Sequence, residues 1–101
     1  MRVIADMSKL IEKEIKQAEC YVDNAMEIQA EYPELANDYV TLAQGNLDRI
    51  GNLHTRVVKL IENERKMNGE PPELMLKVYE YMHKQHIEAV ADIRRIISEI
   101  R

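Results

Sequence analysis

Three histidines and a glutamate, His54, His83, His86 and Glu14, are the residues of this chain whose types and spacing could do chemistry. They fall on or beside the apolar stripes of three predicted helices. A polar group that faces a core needs a partner, because burying it alone costs about 1–3 kcal/mol or more. Carboxylate oxygen with imidazole nitrogen is a good ligand set for Zn, Fe, Mn or Ni, and three converging helices can supply three or four donors without any loop. The same residues could instead form a buried hydrogen-bond network in which Glu14 accepts from a histidine or from Arg49. His83 and His86 are an i,i+3 pair with no carboxylate at fixed spacing, which is a weak metal signal, so the network is the favoured reading.

The elements that must position these groups are marked by proline and glycine. Pro33, in Glu31-Tyr32-Pro33-Glu34-Leu35, separates two periodic runs, and proline suits a first helical turn, where its missing N–H would have no partner. Asn68-Gly69-Glu70-Pro71-Pro72 is the stronger break, joining a glycine able to take positive φ after a helix to prolines that restart one. The spacing predicts helices at about 2–31, 34–67 and 72–100. Nothing predicts a strand.

Each segment draws one apolar face at intervals of three and four residues. The first runs through Ile4, Met7, Ile11, Ile15, Ala18, Val22, Ala25 and Ile28, interrupted by Glu14. The second carries Leu35, Tyr39, Ala43, Leu47, Ile50, Leu53, Val57 and Ile61, with Asn46 in the stripe, His54 on its edge and Arg49 at its flank. The third has Met75, Tyr79, Met82, Ala89, Val90, Ile93, Ile97 and Ile100, with His83 and His86 on the same side. Short connections make neighbours antiparallel, so heights follow from counting outward from each turn. Counted from Pro33, His54 faces position 12, two residues from Glu14. Counted from Gly69, it faces position 85, between His83 and His86. At about 1.5 Å per residue the four groups lie within about 5 Å of one level.

A chain of 101 residues is one domain, 1–101, and 46% apolar residues with three Gly and three Pro suit a compact all-α protein. Charged residues make up 32%, but the net charge is only −4 and the signs alternate, so no basic block offers itself to phosphates and nucleic acid is not an expected partner. No helix has a basic polar face, which argues against a membrane surface. Cys20 is alone, and the N-terminal residues meet charge every few positions, so the expectation is a cytoplasmic protein without disulfides. No Ser, Thr or Cys nucleophile is placed with a histidine base, which leaves hydrolase chemistry unsupported.

Glu80-x-x-His83 resembles the Glu-x-x-His signature of di-iron bundles, but Glu80 projects away from the Met75, Tyr79, Met82 and His86 stripe and is expected in solvent. Glu12, Glu19, Glu62, Glu64 and Glu88 are likewise read as a solvated face. Glu12, for instance, precedes Lys16 by four residues.

The stretches Glu14-Ile-Lys-Gln-Ala-Glu-Cys-Tyr21, Tyr32-Pro-Glu-Leu-Ala36, Leu53-His54-x-x-Val57-Val58-x-x-Ile61-Glu62, Gly69-Glu-Pro-Pro72 and Tyr79-x-Tyr-Met-His83 together span nearly the whole chain. They resemble small uncharacterised ferritin-like proteins of bacteria and their phages. The resemblance implies a ferritin-like bundle in which a first-helix Glu stands seven residues before a Tyr, as Glu14 and Tyr21 do. It also implies a Glu-x-x-His pair on the second helix, where this chain has Asn46 and Arg49. Asn46 is a poor ligand and the Arg49 guanidinium stays protonated, so a conventional di-iron centre is not expected. Arg49 is expected to pair with Glu14 instead, giving an internal polar network of Glu14, Asn46 and Arg49.

A ferritin-type bundle needs four helices and this chain supplies three. The expected architecture is an antiparallel up-down-up bundle of three long helices completed by dimerisation. Val3, Leu10, Leu42, Leu60, Leu74 and Ile87 lie off the main stripes as a candidate apolar flank. The expected function is a non-enzymatic bundle without cofactor, acting through self-association or a protein partner. The alternative is a protein binding iron, zinc or manganese, or a ferritin-like oxidoreductase, using Glu14, His54, His83 and His86.

Overall fold

The computed structural model describes residues 2–101, which form α1 (Arg2–Ile28), α2 (Pro33–Asn68) and α3 (Glu73–Ile100), with no strand among them. α1 stops three residues before the expected end. A residue ahead of proline is sterically driven out of the α region, and Tyr32 accordingly takes φ −130° and ψ 67°. The N–H groups of Glu31 and Tyr32 both fold back to the Ile28 carbonyl, at 3.1 and 2.8 Å, and close α1 there. Pro33 then occupies the first turn of α2. At the other connection Gly69 adopts φ +77° and donates its N–H to the Arg65 carbonyl at 2.9 Å, a left-handed residue ending a helix.

The buried apolar residues are unevenly distributed. Ile11, Ile15, Ala18, Val22 and Ala25 of α1 meet Ala36, Val40, Ala43 and Ile50 of α2, joined by Ile93 and Ile97 of α3. Small residues at Ala18, Ala25, Ala36 and Ala43 leave room for the α1 and α2 backbones to approach. At the start of α2 the inward face is turned by one residue from the expected stripe. Ala36 and Val40 are buried, whereas Leu35 is exposed and Tyr39 is half-buried against Tyr21, with ring centroids 6.3 Å apart.

Beyond Ile50 no residue of α2 is buried, and before His86 no residue of α3 is. The end of the bundle around Pro33 is therefore packed and the end around Gly69 is open. α1 and α2 pack along much of their lengths, α3 rests mainly on α1, and α3 hardly approaches α2. The dimensions of 56 × 18 × 18 Å and a radius of gyration of 16.3 Å describe a rod, against about 13 Å for a compact domain of this size. No described helix is long and apolar enough to cross a membrane.

Candidate functional site

The polar groups occupy two separate places. On the α1–α2 face, Glu14 receives Asn46 Nδ2 at 2.6 Å and Arg49 Nε at 3.0 and 3.1 Å on its two oxygens. Asn46 is fully buried and its Nδ2 also reaches Gln17 Oε1 at 3.2 Å, while its Oδ1 has no hydrogen-bond partner. Burial alone would raise the Glu14 pKa. The hydrogen bonds from Asn46 and Arg49, with the Arg49 charge, outweigh it and hold the carboxyl below its usual range. An ionised carboxylate held by an amide and a guanidinium ties α1 to α2.

The histidines lie across the seam between α2 and α3. His54 and His83 stack with ring centroids 4.4 Å apart and planes inclined by 24°. This pair separates two apolar cavities. One, of about 270 Å³, lies toward Gly69 between Ile4, Ser8 and Ile11 of α1, Val57 and Ile61 of α2, and Leu76 and Met82 of α3. The other, of about 320 Å³, lies toward the packed end and is lined by Leu47, Ile50, Gly51, Ile87, Val90 and Arg94. His86, buried beside both, turns Nε2 toward Glu12 of α1, but at 3.8 Å the carboxylate is a charged neighbour and not a hydrogen-bond acceptor, so the ring nitrogen is unpartnered. Burial, followed by the neighbouring His83 and His86, lowers the His54 pKa. Burial also lowers that of His86, with Glu12 opposing and His83 assisting. The pKa of Tyr79, beside the 270 Å³ cavity, is raised, by burial and then by the Glu64 charge.

Glu14 and the histidines are thus not one cluster, and the reason is register. Tyr21 lies against Tyr39, and Glu14 against Asn46 and Arg49, so counting from Pro33 overshoots by several residues. The true midpoint of the first connection falls between Ile28 and Pro33. His54 consequently stands near Ser8 on α1 and shares a cavity with it, while Glu14 sits further toward the packed end. The second count was closer, since His54 meets His83. The four residues do not form a ligand set as placed, and among the described residues no three His, Cys, Asp or Glu side chains group so as to hold a metal ion.

Two residues of this region escaped the sequence reading. Ser8 is buried between Ile4 and Ile11, and its position in the 4, 8, 11, 15 spacing was the available signal. Glu12, read as a solvated partner of Lys16, is half-exposed but stands beside His86. Arg101 was also unforeseen. Its guanidinium donates to Asn37 Oδ1, Thr41 Oγ1 and Gln44 Oε1 at 2.9, 3.0 and 3.1 Å, tying the end of α3 to the start of α2. Comparison of this chain with known protein families, characterised proteins and solved structures finds no match.

Proposed function

We propose that this chain is a non-enzymatic helical bundle that acts by association, a second copy of itself covering the open seam between α2 and α3. The observation that carries this reading is the unburied half of the bundle, where two helices expose apolar side chains around a cavity of about 270 Å³. Beside that cavity Val58 is 38% exposed and beside the neighbouring cavity Ile87 is 56%, and Met67 and Leu74 toward Gly69 are each 74%. Exposed apolar groups gathered in one half of a domain mark an interaction surface. The open stretches run about 27 Å on α2 beyond Ile50 and about 20 Å on α3 before His86 at 1.5 Å per residue, and two such faces can supply the ~800 Å² per partner that a stable interface needs. A twofold pairing is the simplest closed arrangement. It also fits the ferritin-like resemblance, in which a second copy provides the helices that one chain lacks.

The expected flank is redistributed on this reading. Val3, Leu10, Leu42, Leu74 and Ile87 are exposed and Leu60 is half-buried, but of these only Ile87 lines a seam cavity. Sedimentation with light scattering tests the proposal. The wild type should be dimeric at micromolar concentration, and Ile87→Glu or Val58→Glu should give a helical monomer. A wild-type chain that stays monomeric at its solubility limit would sink it.

A further inference from the structure

We propose that the cavity of about 270 Å³ is a binding site for a neutral bicyclic aromatic molecule carrying one hydrogen-bond donor, its rings among the apolar side chains and its donor on a nitrogen of His54.

Size sets the first condition. An apolar cavity of about 150 Å³ stays dry and accepts benzene, and this one is nearly twice as large, which suits two fused rings. Ile4 and Ile11 of α1, Val57 and Ile61 of α2, and Leu76 and Met82 of α3 wall it from three helices. A mostly apolar lining with a few polar groups is the usual character of a small-molecule site. The cavity of about 320 Å³ has only Ile11 from α1 as its floor and so encloses a guest less completely.

Hydrogen bonding sets the second. His54 and His83 line the cavity, and neither ring makes a hydrogen bond to another described residue. His83 is exposed, so water serves its nitrogens, whereas His54 is half-buried. Burial favours the neutral His54 ring, which has one donor and one acceptor nitrogen. An O–H or N–H on the guest meets that acceptor. His86 does not compete for this role, because its buried Nε2 is turned to Glu12. A planar guest packs against imidazole rings in offset or edge-to-face contact, and its rigidity avoids the ordering cost of an alkyl chain.

Charge sets the third. Glu62 and Glu80 border the cavity, and Arg65 beside them is engaged by Glu70 at 3.3 Å. An anion would therefore meet two carboxylates and a guanidinium that already has a partner. A cation fares no better, since Glu62 and Glu80 are exposed and carboxylates so well solvated do not offset its loss of water among apolar walls.

The site lies within one chain and does not depend on self-association. 2-Naphthol, naphthalene and 2-naphthoate are probes of similar size that differ in donor and charge, and the chain has no Trp to overlap their fluorescence. In equilibrium dialysis at pH 7.5, one 2-naphthol should bind per chain, with naphthalene about five- to tenfold weaker for want of one hydrogen bond and 2-naphthoate at least about tenfold weaker. His54→Phe keeps a ring against His83 but has no nitrogen, and should bring 2-naphthol down to the affinity of naphthalene. Val57→Phe fills the cavity and should abolish binding of both, with circular dichroism reading its helix content. No binding of 2-naphthol at its solubility limit, equal affinity for 2-naphthol and naphthalene, a preference that survives His54→Phe, or unchanged binding in a helical Val57→Phe overturns the site. Sedimentation of the same samples reads association separately: a monomer with the expected order of affinities keeps the site and removes the dimer, and a dimer that binds no probe keeps the dimer alone.

Discussion

Asn46 Nδ2 stands 2.6 Å from Glu14 Oε2, while Oδ1 of the same fully buried side chain has no partner. One amide thus donates twice, to Glu14 and Gln17, and leaves its acceptor idle. That asymmetry makes the identity of residue 46 critical. Asn46→Asp removes the donor and sets a second carboxylate against Glu14, which should destabilise the protein by about 2–4 kcal/mol at neutral pH. Urea unfolding should show the deficit shrinking as pH falls toward 4, where one carboxyl takes up a proton. A deficit independent of pH would mean that charge repulsion is not its cause.

Glu14 predicts an acid limb of stability. Its folded pKa lies below the ordinary carboxyl value of 4.5, so the native state binds fewer protons than the unfolded chain in that range. Its contribution is complete above pH 4.5 and disappears as pH falls through the lower folded value. Arg49 is more than half exposed, so solvent limits the pair to about 1 kcal/mol or less. Glu14→Gln should flatten that part of the pH–stability curve, and Arg49→Ala should weaken it. A curve in Glu14→Gln superposable on the wild type would assign the limb to other groups.

His54 and His86 govern the next pH window up. Both are held below the ordinary value of 6.5, chiefly by burial, so the unfolded chain takes up protons first as pH falls. Native stability is complete above pH 6.5 and declines as pH falls through the folded values. His86→Leu removes a buried nitrogen with no hydrogen bond and should be neutral or stabilising by up to about 1 kcal/mol at pH 7, with a larger advantage at pH 5.5. Thermal melts across that range measure both. A variant less stable than wild type at pH 5.5 would show that Glu12 supplies more to His86 than burial removes.

What could be read in the sequence was local, and what could not was the register between helices. Pro33 and Gly69 mark the helix ends through φ preferences that act within a turn, and the stripe through Ile4, Ile11, Ile15, Ala18 and Val22 follows from α periodicity. Glu14 and Arg49 were paired correctly because their partnership needs only a carboxylate and a guanidinium on facing helices at about one level. The Glu14–histidine cluster failed because it needed the turn centre to within a residue or two, and a shift of several residues moves a side chain by about a full turn, 5.4 Å. The openness of the Gly69 end was hidden for another reason. Val57, Ile61, Met75 and Met82 keep perfect periodicity although no residue of a single chain buries them fully.

Packing polarity predicts where truncation is costly. Ile93 is 1% exposed in the packed half, so Ile93→Ala should cost about 2–5 kcal/mol through lost transfer energy and the cavity left behind. Val57→Ala and Leu76→Ala, at half-buried sites beside an existing cavity, should cost about 1 kcal/mol or less in the monomer. Urea unfolding below the association concentration makes the comparison. If the two sets cost the same, the Gly69 end is as well packed as the other.

Two glycines make opposite predictions from backbone conformation alone. Gly69 adopts φ +77° with ψ −167° and an added Cβ there would meet nothing within 4 Å, so the whole cost of Gly69→Ala is forcing an L side chain into a backbone region that is essentially glycine's alone, about 1–3 kcal/mol. Gly51 lies inside α2 with open space where its Cβ would be, so Gly51→Ala should stabilise by about 0.5–1 kcal/mol through restricting the unfolded chain. Gly51 also lines the 320 Å³ seam cavity, which gives this substitution a second use. Below the association concentration the gain should appear in full. In the dimer, a partner seated closely over that cavity would reduce it, so the concentration dependence of the Gly51→Ala effect locates the covering copy. A gain that is equal at all concentrations places the interface away from Gly51.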